Sequence, residues 1–204
     1  MSQQPAKNPA TETKVLIKNV TLSYVHVLKP FAGDNGGEAK YSCVLIIPKA
    51  DKDTIGALKV AIRAAYDKGT TEKWQGKAPA LSTIHQPVRD GDKERPDDEV
   101  FKDCYFMNAS SKMRPGVIDT NRRDLAEPGL EEEVYSGMKA HVSVNFFAYD
   151  AKGNRGIACG LNNICKCGDG TFLGGRSSAE SDFDSLLGTE ENKAGDIPDD
   201  DFPL

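Results

Sequence analysis

Apolar and polar residues alternate most strictly over residues 138–149. Met138, Ala140, Val142, Val144, Phe146 and Ala148 share one face, and Lys139, His141, Ser143, Asn145, Phe147 and Tyr149 share the other. A period of two predicts a strand with one face in the core. Residues 15–17 and 20–27 are rich in β-branched side chains and interrupted at Lys18-Asn19, which predicts one long strand with a bend or bulge, ended by Pro30. The Gly-rich turn at 32–40 and the apolar run 41–47, stopped by Pro48, complete a hairpin. Ile55, Leu58, Ile62 and Ala65 recur at spacings of three and four and predict a helix, capped by Asp51 or Asp53 and terminated at Gly69. Further strands are expected at 101–108, 116–119 and 156–164, with 171–175 closing the body. Residues 77–99 and 120–133 read as long polar connections.

Short strands with hairpin turns and a single helix between two groups of them predict a mainly β protein. The expected architecture is a small, partly closed β-barrel of the OB type with loop insertions, although periodicity alone leaves a sandwich open. Such a barrel offers a curved sheet face flanked by loops, where oligonucleotides bind in that architecture. The polar face of strand 138–149, with Phe147 and Tyr149 beside Lys139, is then a candidate groove wall.

Charge changes the picture only when it is counted by segment. The 204 residues carry a net charge of -5, which taken whole argues against a polyanionic ligand. Nine acids against one lysine, however, give residues 177–204 a charge of -8, leaving +3 on residues 1–176. A mildly basic body, 14–176, therefore stands between an N-terminal arm of polar composition, 1–13, and an acidic tail, 177–204, expected to be disordered. No apolar run approaches the ~18 residues of a membrane span, and the opening MSQQPAKNPATETK lacks the apolar stretch of a signal peptide. Five cysteines without an export signal fit reduced thiols in the cytoplasm.

Catalytic chemistry finds little support. Cys159, Cys165 and Cys167 lie close together, but at a spacing without a paired C-x2-C or a nearby histidine, so no metal or other cofactor is expected. His26, His85 and His141 sit on strand or loop segments without a nucleophile motif. Asp90, Asp92, Asp97, Asp98 and Glu99 could hold Mg²⁺ in a nuclease, yet Arg89, Lys93 and Arg95 interleave with them as in a salt-bridged loop. Binding of single strands asks for different chemistry: rings on which bases stack and a basic track for phosphates. Lys102, Tyr105, Lys112, Arg114, Arg122 and Arg123 supply these over 102–123, and Lys139, Phe147 and Tyr149 on the alternating strand. If strand 101–108 is regular, one of Tyr105 and Phe106 must point outward.

The tail ends in Asp199, Asp200 and Asp201 followed by Phe202, Pro203 and Leu204, which resembles the acidic C-terminal tips of bacterial single-stranded DNA-binding proteins. The runs PVRDGDKERPDDEVF (87–101), YFMNASSKMRPGVID (105–119), YSGMKAHVSVNFFAYDAKGNRGIACGLNNI (135–164) and DGTFLGGR (169–176) resemble a phage family of single-stranded DNA-binding proteins. The resemblance implies an OB-type fold and a setting in phage DNA replication or recombination, in the host cytoplasm. The expectation is a non-enzymatic, sequence-independent binder of single-stranded DNA. Its tail would recruit replication or recombination proteins through the tip and compete with DNA, and a homo-oligomer is among the expected partners. The rivals are a metal-dependent nuclease or another hydrolase using the 90–99 acids or the cysteines, and a structural virion or assembly protein.

Overall fold

The break at Lys18-Asn19 is a bulge within one long strand, the register slipping between Ile17 and Val20. In a computed structural model that describes residues 12–33, 36–151 and 153–174, strand β1 (Lys14–Phe31) pairs antiparallel with β6 (Lys139–Ala151) through Thr21. From Thr21 to Phe31 it pairs with β2 (Lys40–Pro48) instead. β2 pairs antiparallel with β4 (Cys104–Ser111), and β6 with β7 (Asn154–Gly168). A short parallel pairing, Ala109 with Cys159 and Ser110 with Gly160, joins β4 to β7. The ring β1-β2-β4-β7-β6 is thereby closed, where the sequence pointed to partial closure. β3 (Arg89–Asp90) extends the free edge of β4, and β5 (Gly116–Asp119) runs parallel to β7. The chain divides into two units, Met1–Leu173 and Gly174–Leu204, and almost all of the second lies outside the described residues.

The barrel interior follows the alternation read from β6. Ala140, Val142, Val144, Phe146 and Ala148 are buried, and Leu45, Ile47, Met107 and Ile164 meet them from β2, β4 and β7. The helix α1 (Lys52–Glu72) starts at Asp51, whose carboxylate accepts the Thr54 N–H at 3.0 Å. It buries Leu58, Ala61, Ala64 and Ala65. Gly69 does not terminate it, and the helix runs on to Glu72. This glycine is a packing residue: a Cβ there would overlap Cβ of Ala148, so its absence lets the last turn lie flat on β6. Among the described residues no helix is long and apolar enough to cross a membrane.

Residues 89–103 are more than a polar connection. They form β3, a short helix α2 (Gly91–Glu94) and a single 3-10 turn (Glu99–Phe101) that cover the outer face of β2 and β4. There Val44, Ile46, Phe101 and Phe106 make a second apolar cluster outside the barrel. The third barrel strand accordingly begins at Cys104, not at residue 101. Phe106 does point out of the barrel, but onto this cluster, so parity did not lead to solvent. One other expectation is corrected. Pro30 lies inside β1, at a place where β1 pairs with β2 alone and one strand edge needs no ladder donor. Residues 171–173 lie back on the turn before β6, where the Leu173 N–H donates to the Ser136 carbonyl at 2.8 Å.

Candidate functional site

Three strands and one turn build an open groove of about 560 Å³ on the outside of the barrel. The register sets its floor: His26, Ser42 and Ser110 lie in one row across β1, β2 and β4, and Val44 sits opposite Asn108 in the next. Phe31 pairs with Lys40 at the end nearest the 32–39 turn. Tyr24 and Phe31 leave about half of their surface exposed, at 52% and 50%. The His26 ring stacks on Phe31 with centroids 4.5 Å apart and planes 14° from parallel.

Tyr24 is placed there by a defect in the strand. Its φ of 47° is left-handed, a conformation uncommon for a bulky side chain, and the register slips between Ser23 and His26. Arg95 from the insertion holds the ring, its Nη1 donating to the Tyr24 hydroxyl at 3.1 Å. The same guanidinium lies 5.4 Å from the Tyr24 centroid and 4.7 Å from that of Phe101, so one cation ties the exposed ring to the second apolar cluster. Arg89 lies 4.3 Å from the Phe106 centroid and donates weakly to Asn108 Oδ1 at 3.4 Å.

The insertion that carries Arg95 is pinned to the barrel by charge. Lys49 Nζ donates to Asp90 and Asp92, both at 2.6 Å, and Asp92 also accepts the Asp103 N–H at 2.8 Å. Hydrogen bonds from Lys49 first, then from the Asp103 backbone, hold the Asp92 carboxyl below the usual carboxylate range. The two aspartates raise the Lys49 ammonium above its ordinary value. Glu94 pairs with Arg89 at 3.3 Å, Asp98 with Arg95 at 3.8 Å and Glu99 with Lys102 at 3.8 Å. The acids of the 90–99 run thus largely hold cations and cap turns.

The residues proposed from sequence are dispersed. Lys112 stands at the groove's turn, paired with Glu38 at 2.8 Å. Lys102 is exposed on the insertion, and Tyr105 is half-buried on the far side of β4, its ring 5.2 Å from Lys49 Nζ. Arg114 and Arg122 are exposed. Arg123 is engaged by Asp119 at 2.6 Å and Glu133 at 3.5 Å. Burial pushes the Asp119 carboxyl up, but hydrogen bonds from Arg123 and Asn121 outweigh it and leave it below the usual range. Lys139, Phe147 and Tyr149 lie on the outer face of β6, which has neither β2 nor β4 as a neighbour in the ring. Lys139 donates to Thr21 Oγ1 at 2.6 Å, Phe147 is 47% exposed and Tyr149 is half-buried. Asp199 to Leu204 lie outside the described residues, as do residues 1–11.

Sequence reasoning passed over Tyr24, His26, Phe31 and Arg95. One signal was available: three rings within eight residues lead into a Gly-rich turn of the kind that borders the binding face of an OB barrel.

The thiols offer little nucleophilic character. Burial pushes Cys43 up to about 12 and Cys159 higher still, and it raises Cys104, Cys165 and Cys167 as well, so all five stay protonated near neutral pH. Among the described residues, no group of three or more His, Cys, Asp or Glu side chains is placed to hold a metal ion.

The model of the family described as Enterobacter phage Enc34, ssDNA-binding protein, matches residues 13–197. The solved single-stranded DNA-binding protein from bacteriophage Enc34 in complex with ssDNA is 29% identical, with a TM-score of 0.68 over 83% of this chain and 97% of that one. A second structure of the Enc34 protein is 26% identical over 89% of this chain and 98% of that one, with a TM-score of 0.66. The single-stranded DNA-binding protein encoded by bacteriophage T7 shares the fold at 15% identity, with a TM-score of 0.54 over 91% of this chain and 98% of that one. No curated protein matches.

Proposed function

The chain belongs to the family of the Enterobacter phage Enc34 ssDNA-binding protein, and on that premise we propose that it binds single-stranded DNA in the groove of β1, β2 and β4. The observation that carries this reading is the pair of half-exposed rings, Tyr24 and Phe31, set beside Arg95 and Lys40 on the sheet face that OB barrels use for oligonucleotides. Bases stack on Tyr24 and on the Phe31–His26 pair, while the cations meet phosphates. Ser42, Asn108 and Ser110 give short polar contacts that do not discriminate strongly among bases. Lys102, Lys112, Arg114, Arg122 and Arg123 supply cations along the strand's path beyond the groove, and Lys139, Phe147 and Tyr149 form a second surface on β6.

The protein acts by binding, not by catalysis, in phage DNA replication or recombination in the host cytoplasm. Ion-paired acids at 90–99 and protonated thiols support that choice over a hydrolase. The acidic segment 177–204 recruits partner proteins through Asp199 to Leu204. Tethered to a basic body, it competes with DNA for the cations.

Titration with poly-dT and with duplex DNA at two salt concentrations tests the reading. Single strands should bind more tightly, and log K should fall with log salt as counterions are released. Equal affinity for duplex, or no salt dependence, overturns it; loss of DNA in the presence of Mg²⁺ or Mn²⁺ favours the nuclease.

A further inference from the structure

A second cavity, of about 560 Å³, opens on the outer face of β1 and β2. The register lays its floor: Lys139 sits opposite Thr21, Thr21 opposite Ile46, and Pro48 opposite Cys104. Glu99 and Val100 of the insertion line it, as do Gly170, Thr171 and Leu173. Two glycines bring the latter segment close. A Cβ on Gly137 would overlap the Thr171 carbonyl, and one on Gly170 the Gly137 carbonyl. Leu173 then packs on the cluster of Val44, Ile46, Phe101 and Phe106, which fixes the backbone beside Phe172.

A cation and a ring give this cavity its chemistry. Lys139 is half-buried, and among the described residues its partner is a neutral hydroxyl, Thr21 Oγ1 at 2.6 Å, with no carboxylate to offset its charge. Lys49, Lys102, Lys112 and Lys166 each pair with an acid instead. Glu99, the acid that lines the cavity, is 88% exposed and faces Lys102 at 3.8 Å. Phe172, next to Thr171 and Leu173 in the chain, is 52% exposed, its ring 6.1 Å from that of Tyr135. Tyr135 is itself held, its hydroxyl donating to Asp169 at 3.0 Å and accepting the Gly170 N–H at 3.1 Å. An exposed ring backed by a second ring, with a cation nearby, repeats the arrangement of Phe31, His26 and Lys40 in the groove. We infer that the cavity is a second station of the single strand, where a base stacks on Phe172 and the neighbouring phosphate meets Lys139 and the Thr171 hydroxyl. Thr21 in the cavity and Tyr24 in the groove are three residues apart on β1, no more than ~11 Å, so one strand can reach both. The inference rests on the reading that the chain binds single strands, and it extends their path past Tyr24 towards the start of β6.

The test is ultraviolet cross-linking of the full-length protein to oligo-dT of ~16 nucleotides, the upper site size of an OB fold. Trypsin cuts after Lys18, Lys40, Lys166 and Arg176 but not between Lys29 and Pro30, so residues 19–40 carry the groove's rings and residues 167–176 carry Phe172. Cross-links are expected in both peptides. Phe172→Ala should remove the one in 167–176 and weaken binding about 5- to 100-fold, the contribution of one stacked base. Lys139→Gln should lower the slope of log K against log salt by ~0.7, one phosphate of a single strand. Thermal unfolding, measured beside each titration, shows whether the variants are folded; if Phe172→Ala is not, Phe172→Leu keeps an apolar side chain and removes the ring. A cross-link in 19–40 alone overturns the inference and leaves the groove standing. So does a folded Phe172 variant that binds and cross-links as before, or an unchanged salt slope for Lys139→Gln. A cross-link in 167–176 alone, removed with Phe172, overturns the groove and leaves this cavity. No cross-link in either peptide, with no salt-dependent binding, overturns both.

Discussion

Two faces of one barrel carry exposed aromatic rings, and they are built by opposite rules. The outer face of β6 is a regular strand: every second residue from Lys139 to Tyr149 points the same way, at ~6.6 Å per step. Its cation and its exposed ring are therefore far apart, since Lys139 and Phe147 stand eight residues, or ~26 Å, from each other along the strand. Lys139 is moreover turned to Thr21. The groove face is irregular. A bulge in β1 turns Tyr24 outward, and an insertion brings Arg95, 71 residues later, to within 5.4 Å of its ring. Regularity distributes rings and charges along a line; irregularity and long-range packing gather them at one place, which is what stacking plus phosphate neutralisation requires.

The sharpest way to break this comparison is to remove the rings on each face in turn. Tyr24→Ala and Phe31→Ala should each weaken binding to poly-dT by ~1 to 3 kcal/mol, and the double variant by more, with thermal unfolding showing that the fold persists. Phe147→Ala should stay within ~0.5 kcal/mol, as is usual for surface changes. The reverse ranking would move the strand to β6. Tyr24→Gly sharpens the point, because glycine accepts φ of 47° freely: Tm should rise while affinity falls.

The same contrast explains what could be read in advance. The alternation of β6, the hairpin of β1 and β2 and the helix were legible because each rests on a local period that the core enforces. Tyr24 and His26 were not, since a bulge changes parity without changing composition. Phe106 shows a second limit. The pattern required one of Tyr105 and Phe106 to point outward without choosing between them, and the burial of Phe106 depends on Phe101 and Arg89, which the chain brings over it by tertiary packing. Gly69 shows a third, where a residue that commonly ends helices is used for close approach to Ala148. Among the described residues of the sequence-derived set, Lys112 alone is brought to the groove's turn, because β4 ends beside it.

Gly69→Ala tests whether the two faces are separable. The added methyl must push α1 off β6, and overpacking of this kind costs ~1 to 3 kcal/mol of stability. The expected result is a lower Tm with poly-dT affinity unchanged at temperatures where the variant is folded. Affinity that falls in parallel, without unfolding, would tie DNA binding to β6.

A smaller effect is expected from pH, through the Lys49–Asp90–Asp92 pin. Asp92 has its folded pKa below the unfolded value of ~3.9, so its contribution is complete above that value and is lost as pH falls through the folded one. Lys49 is raised, so its contribution is complete below ~10.4 and is lost as pH rises through the folded value. Stability from this pin is therefore level across neutral pH and declines at both extremes. Asp92→Asn should lower Tm at pH 7 and shrink the decline in acid. An acid limb of wild-type size in the variant would show that other carboxylates carry it.

The smallest effect should come from the groove's rim. Glu38 accepts a hydrogen bond from Lys112 that holds its carboxyl below the usual range, so at neutral pH it is charged and occupies a cation otherwise free to meet phosphate. Both side chains are more than half exposed, at 57% and 69%, and the pair is worth little to the fold. Glu38→Gln should therefore leave Tm unchanged and strengthen poly-dT binding a few-fold at low salt. The gain should fade near physiological ionic strength, where screening acts over ~8 Å. Lys112→Gln, measured beside it, should weaken binding and reduce the salt slope by no more than one phosphate contact. Because Lys112 stands at the groove and not on β6, the pair of variants asks whether the strand passes the 32–39 turn. If neither change moves affinity at low salt, the strand leaves the groove before that turn, and Tyr24 with Arg95 is its centre.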